Sequence, residues 1–348
     1  MISMAKPQKI TTLDAYLAKA EKEHGSSGGF FRVGASTETE ERLPTGIYGL
    51  DLALGGGFTR GKLVSLSGAT GGGKSSLTMM ITAQAQRLGG KVVFIDLEGG
   101  YNEQWAEDYG VDQDELIQIY PASAEEALEA LRDLVQTDAS VVILDSVAGL
   151  VPEAVSSGDM GDEHVARLPR LLSRGIPQVI EACAPTCTPI LVNQLREKVG
   201  MTGYGPSTTR PGGRAVPFFE SFHCEITRVK NIQASSSDAT VIGHTTKVRI
   251  PKNRFGIPFR EVLMDCYYKT GFDNSSTTLN LAVEYGFIDA AKTGWHTNLL
   301  TGEKFARSRL KAISWLNQNP EDRQLLEEKI TEAYEERFLK SQPEAMLR

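Results

Sequence analysis

Gly68-Ala-Thr-Gly-Gly-Gly-Lys74-Ser75 is the segment that most constrains what this chain can fold into. It fits G-x4-G-K-[ST], and its flanks supply the context that the pattern needs. The apolar-rich run KLVSLS (Lys62–Ser67) precedes it; Leu77, Ile81, Ala85 and Leu88 follow at steps of four, four and three, one stripe on a helix. A strand that feeds a helix through a glycine-rich turn points backbone N–H groups and a helix N-terminus at one place, which is an anion site. The residue types follow from that. The glycines Gly68, Gly71, Gly72 and Gly73, with Ala69 and Thr70 between them, let the backbone wrap phosphates, Lys74 reaches the β- and γ-phosphates, and the Ser75 hydroxyl binds Mg²⁺. A turn that only joined strand to helix would need neither the lysine nor the serine.

The alternation continues downstream. KVVFIDLE (Lys91–Glu98), VVILD (Val141–Asp145) and PILVN (Pro189–Asn193) are apolar throughout, as strands buried on both faces are. Ser123 with Glu126 forms a capping box ahead of Leu128, Leu131 and Val135, so a helix lies between. This is an α/β chain with a mostly parallel central sheet. Two acids end neighbouring strands. Glu98 is placed to orient or deprotonate an attacking water. Asp145, followed by Ser146, is the second Mg²⁺ anchor. Asp96, one pleat before Glu98, is expected to point to the other side. Two such acids beside a phosphate loop favour hydrolysis, with a non-hydrolysing nucleotide scaffold as the alternative. Asn193-Gln194 closes the next strand and opens a long Gly-, Thr- and Pro-rich stretch. An amide there can touch a γ-phosphate and pass its presence to the loop, or it can simply cap the strand.

Charge and composition narrow the rest. With 37 basic and 44 acidic residues the net charge is -7, which argues against nucleic-acid binding by overall charge. The distribution is uneven: Tyr101–Asp133 holds ten acids and one base, and Arg196–Arg260 holds eleven bases and four acids. A basic face on an acidic chain is therefore available, although charge alone fits ordinary solvated surface equally well. Four scattered cysteines and five scattered histidines give no metal-ligand spacing. No apolar run approaches ~18 residues and the N-terminus lacks a secretory pattern, so no membrane is expected and the location is cytoplasmic. Thr11–His24 reads as a helix on a GSSGG tether. HCEITRV, TTKVRIP and PFREVLMDCYY read as closely spaced antiparallel strands, and from Ser276 the chain turns helical again.

Five motifs in fixed order make the reading specific: Thr45-Gly46-Ile-Tyr-Gly-Leu50-Asp51-x-x-Leu54-Gly-Gly-Gly57 before the phosphate loop, then FIDLE, VVILDSVAGLVPEA, LVNQLREKVG and PGGRAVPFF. From about Leu43 to Pro320 the chain resembles the RecA recombinase family, bacterial or viral. The resemblance implies a RecA-like P-loop NTPase core over residues 44–273. It also implies an N-terminal helical polymerisation segment over 1–43, a small C-terminal α/β or helical domain over 274–340, and a tail over 341–348. It implies a DNA-dependent ATPase of recombination and repair that uses ATP and Mg²⁺. Such a protein forms a helical homo-oligomeric filament on single-stranded DNA and exchanges strands with homologous duplex. Ring-forming motors and circadian-clock-type ATPases share the core, but usually not a Lys-Asn-Arg pair combined with a long glycine-rich loop after Gln194.

Site roles follow from the same resemblance. Gly68 to Ser76 hold nucleotide, Glu98 is the catalytic carboxylate, Asp145 the Mg²⁺-linked acid and Gln194 the coupling residue. Trp105 and Tyr268 fall where the family places aromatics near the nucleotide. Lys252 and Arg254 match paired bases that reach the γ-phosphate of the neighbouring subunit, with the logic of an arginine finger. Two mobile DNA loops are implied, at about 153–165 and 195–213. In the second, Arg196, Lys198, Arg210 and Arg214 supply cations, Gly212 and Gly213 supply backbone N–H groups, and Tyr204 can stack on a base. The first loop is acidic, with Asp159, Asp162 and Glu163, so its side chains are not assigned to phosphate. Three further departures stand out. FIDLE is followed by Gly-Gly-Tyr-Asn where better-known bacterial members have His-Ala-Leu-Asp. Pro217 replaces a basic interface residue, and Arg254 replaces the more usual lysine. The chain ends SQPEAMLR without the strongly acidic tail of many members, so regulation by such a tail is not carried over.

Overall fold

The computed structural model describes residues 40–153, 167–197, 208–234, 238–291 and 294–340, with Thr12, Ala15, Tyr16, Ala18, Lys19 and Lys22. The chain forms two units, Met1–Glu40 and Glu41–Arg348. In the first, the Thr12 hydroxyl accepts from the Ala15 N–H and the Thr12 carbonyl from the Tyr16 N–H, one capped helical turn. The rest of the expected Thr11–His24 helix, and the tail 341–348, lie outside the described residues.

In the second unit the pair β1 (Arg42–Leu43) and β2 (Phe58–Thr59) brackets α1 (Tyr48–Leu54). There follow β3 (Val64–Gly68), α2 (Lys74–Arg87), β4 (Lys91–Asp96), α3 (Glu103–Asp108), β5 (Leu116–Ile119), α4 (Ala124–Leu134), β6 (Ala139–Asp145), α5 (Arg167–Ala182) and β7 (Thr188–Gln194). The two-residue strands β8 (Arg196–Glu197) and β9 (Thr208–Thr209) pair with each other. Then come α6 (Ala215–Phe219), β10 (Phe222–Gln233), β11 (Val241–Asn253), β12 (Arg260–Tyr267) and β13 (Gly271–Phe272). The chain closes with α7 (Asn274–Glu284), β14 (Ile288–Ala290), β15 (His296–Asn298), β16 (Lys304–Ala306), α8 (Arg309–Gln318) and α9 (Pro320–Lys340).

One sheet carries the function. Its order is β13-β12-β11-β10-β3-β7-β6-β4-β5. The strands from β10 through β5 pair in parallel, and β10 to β13 extend the sheet antiparallel. Along β4, Val92 and Phe94 pack into one apolar cluster with Leu77 and Ile81 of α2; Val93 and Ile95 pack into another with Leu128 and Leu131 of α4. That two-residue alternation under two covered faces is why the strand sequences read as unbroken apolar runs. Register then aligns the carboxyl ends: Gly68 pairs with Gln194 and Asp96 with Asp145. Loops at that edge of a parallel sheet, where β3 sends its chain one way and β7 and β10 flank it, form the ligand crevice. The C-terminal region keeps its own apolar cluster, with Leu279, Ile288, Ile313, Leu316 and Ile330, within the same compact unit. It is not only helical: β14, β15 and β16 form a small antiparallel sheet there.

Candidate active site

Gly68 ends β3 with no room for a side chain, since a Cβ would sit 2.3 Å from the Ile226 carbonyl oxygen of β10. Gly71 and Gly73 take φ of 73° and 102°, a region that side chains rarely adopt, and so curl the turn into α2. Lys74 is buried, and its Nζ donates to the Gly68 and Ala69 carbonyls at 3.0 and 2.9 Å. Burial pulls its pKa down, against the opposing pull of Asp145 and Glu98.

The strand-end acids converge on this lysine, with one revision. β4 stops at Asp96, not Glu98. Asp96 does not point away: its carboxylate accepts the N–H groups of Glu98 (3.0 Å), Gly99 (2.8 Å) and Tyr101 (3.2 Å). Those bonds divert the chain out of the strand and fix where Glu98 stands. The signal was an Asp two residues before Glu-Gly-Gly, a side chain with following backbone N–H groups to capture. Glu98 Oε1 in turn accepts from the Ser146 hydroxyl and, at 2.9 Å, from Gln194 Nε2. Removing the clamp in Asp96→Ala is expected to lower kcat on the order of 10²-fold through misplacement of Glu98, with nucleotide affinity little changed. Steady-state kinetics beside equilibrium binding check this; a matching loss of affinity would mean that Asp96 shapes the phosphate loop instead.

Asp145 carries the electrostatic strain. Burial first, then the Glu98 and Asp96 charges, raise its pKa to about 7, and Lys74 offsets this only in part. Three carboxylates around one ammonium leave unbalanced negative charge lined by hard oxygen donors, which fits a divalent cation such as Mg²⁺. Among the described residues no cluster of three or more His, Cys, Asp or Glu has metal-holding geometry. A cation here would therefore rest on Ser75, Asp145 and the phosphates of its ligand.

Two cavities share Gly71, Lys74 and Ser75. One of about 170 Å³ is lined by Asp96, Glu98, Asp145 and Gln194. The other, about 470 Å³, is lined by Ser76, Trp105, Tyr109, Arg228, His244 and Tyr268. A polar chamber and an aromatic one, joined at a phosphate loop, match the two ends of a nucleotide. Trp105 stays half exposed on α3, where the Asn102 side chain caps the helix by accepting the Trp105 N–H. The Tyr268 hydroxyl accepts from Arg228 at 3.1 Å.

The other assigned residues sit elsewhere. Lys252 Nζ donates to the Pro217 and Phe218 carbonyls at 2.7 and 3.3 Å, and Arg254 donates to Phe218 at 3.1 Å. Neither lines either cavity of its own subunit. Arg210 makes a two-pronged ion pair with Glu220, whose side chain is 2% exposed. A buried carboxylate needs that partner, which ties Arg210 to the fold at the end of the second loop. Gly212 and Gly213 form a left-handed turn packed against Leu172 and Pro169 of α5, and Arg214 is exposed at the start of α6. The β8–β9 pair closes the base of the second loop. Lys198, Tyr204, the Arg196 side chain and most of the first loop lie outside the described residues.

Residues 11–273 match the RecA N-terminal domain family. Protein RecA of Streptomyces ambofaciens is 37% identical over 333 residues, covering 94% of this chain and 87% of that protein. Protein RecA of Lactobacillus delbrueckii subsp. bulgaricus is 36% identical over 335 residues, covering 95% and 89%. That of Lactobacillus acidophilus is 35% identical over 335 residues, covering 95% and 90%. Similarity of this extent, on a mostly parallel sheet whose strand ends carry the phosphate loop and its carboxylates, has one meaning: the chain belongs to the RecA family, the DNA-dependent ATPases of homologous recombination and DNA repair.

Proposed function

We propose that the chain binds ATP with Mg²⁺ across the paired cavities and polymerises on single-stranded DNA in the cytoplasm. Hydrolysis is stimulated by that DNA, and the polymer exchanges strands with homologous duplex. The observation that carries this reading is the Gln194–Glu98 hydrogen bond. One amide joins the catalytic carboxylate to the last residue of β7, and the second loop opens two residues on through β8. A loop held by DNA can thus move the group that holds Glu98, which makes hydrolysis answer to DNA.

The chain's own groups divide the work. Backbone N–H groups from Gly68 to Ser76 and the α2 N-terminus cradle the phosphates, and Lys74 offsets their charge. Glu98 accepts a proton from the attacking water; Ser146 and Gln194 hold its carboxylate in place. Ser75 and Asp145 would hold Mg²⁺ beside the phosphates, where the ion would supply positive charge against that developing on the phosphate oxygens. Trp105 and Tyr268 face the base from the aromatic chamber. Among the described residues no helix is long and apolar enough to cross a membrane.

Hydrolysis assayed with and without single-stranded DNA, beside electron microscopy with ATP, tests the whole reading. Helical filaments and DNA-stimulated turnover are expected; closed rings would instead favour a ring-forming motor. The second loop is tested by Arg196→Ala with Lys198→Ala. Single-strand affinity should weaken at low salt, and the slope of log affinity against log salt should flatten by about 0.7 for each cation removed. An unchanged slope would take the DNA site away from this loop.

A further inference from the structure

The aromatic chamber holds a buried imidazole to which hydrolysis gives no role. His244, on β11, is 4% exposed, and neither Nδ1 nor Nε2 has a hydrogen-bond partner. Buried polar atoms in folded proteins are nearly always paired, so an imidazole with both nitrogens orphaned requires a reason. Its surroundings supply one. A Cβ built on Gly73 of the phosphate loop would lie 3.4 Å from His244 Nε2. The ring stands 6.0 Å from that of Tyr268, centroid to centroid. With Trp105, Tyr109 and Arg228 it lines the cavity of about 470 Å³ that opens from Lys74 and Ser75.

Chemistry narrows what such a ring can meet. Burial first, then the Arg228 guanidinium, hold its pKa below the usual histidine value, so the ring is neutral and presents one N–H donor and one lone pair. The phosphates are already served by Lys74 and the turn's N–H groups, at the border that the two chambers share. A neutral donor and acceptor between aromatic rings suits the uncharged polar edge of a base or a ribose hydroxyl. Resting on the nucleotide-binding reading above, we propose that His244 is a specificity-determining residue that hydrogen-bonds the nucleoside end of the bound nucleotide.

The test uses the full chain and two probes: the β,γ-imido analogue of ATP, and inorganic tripolyphosphate, which has no nucleoside. His244→Phe keeps the ring and its place beside Tyr268 while removing both nitrogens; His244→Gln returns a donor and an acceptor. Calorimetry should show nucleotide affinity falling about 5–10-fold in His244→Phe, the scale of one desolvated hydrogen bond. Tripolyphosphate affinity should stay at the parent value, and His244→Gln should recover part of the nucleotide loss. Without ligand, the melting temperature of His244→Phe should equal or exceed the parent's, because two orphaned polar atoms are gone. Parent-like nucleotide affinity in His244→Phe overturns the proposal. An equal fall for both probes overturns it too, by putting the ring's effect on the phosphate loop. A parent protein that binds neither probe would instead remove the nucleotide reading itself, before any variant is compared.

Discussion

Glu98→Gln is expected to bind nucleotide about as the parent does and to hydrolyse it ~10²–10⁴-fold more slowly, the range that a positioned general base contributes. The substitution is nearly isosteric, and the amide oxygen can still accept from Ser146 or Gln194, so the local hydrogen bonds are largely kept. What disappears is the charge and the capacity to take a proton from water. Gly68 to Ser75 are untouched, so affinity has no reason to fall. With turnover stopped, the polymer should stay on DNA long after nucleotide is diluted. Equilibrium binding, steady-state hydrolysis and a filament dissociation time course separate these outcomes. Parent-like turnover would remove Glu98 from the role of base.

The second large effect tests whether the site is completed across subunits. Replacing Lys252 and Arg254 together by alanine should leave nucleotide binding by the single chain nearly intact, since neither residue lines its cavities. DNA-stimulated hydrolysis should fall by ~10³-fold or more, as when a cation supplied in trans is lost. The same change removes three hydrogen bonds to the Pro217 and Phe218 carbonyls. Melting temperature and filament length must therefore be measured beside activity, to separate a loosened α6 from a missing charge. Mixing this variant with Glu98→Gln gives a sharper result. Where Glu98 comes from the first variant and Lys252 and Arg254 from the second, a complete site returns, and mixed filaments should regain part of the turnover. No recovery in filaments shown to be mixed would confine the two residues to their own subunit.

Much of the phosphate site was legible because its chemistry is written locally. Glycines, Lys74 and Ser75 lie within eight residues between a strand and a helix. The parallel strands were legible because burial on both faces leaves them apolar from end to end. Where the sequence misled, a side chain had recruited partners that spacing does not show. An apolar run marks where a strand lies but not where it stops, and Asp96 ends β4 by capturing three N–H groups beyond it. Arg210 was visible as a cation; Glu220, which α6 folds back onto it, was not visible as its partner. The orphaned nitrogens of His244 depend on β11 lying beside the phosphate loop, a placement no window of sequence holds. The strands β14, β15 and β16, three residues each, are too short for alternation to register.

Sheet order also bears on how copies of this chain can add to one another. The acidic run Tyr101–Asp133 is borne by α3, β5 and α4, at the end of the sheet that β5 closes. Most of the basic run Arg196–Arg260 rides on β10, β11 and the start of β12, toward the opposite end. The two runs thus sit toward opposite ends of the sheet, with Lys247 and Arg249 of the basic run partly offset by ion pairs to Glu261 and Glu225. Contact between unlike ends is favourable, whereas two copies meeting through the same end bring like charge to like charge. That bias acts against a self-closing symmetric pair and in favour of a series in which every member faces the same way. In a series of copies such a bias would act within about a Debye length of 8–10 Å, before any side chain is fitted.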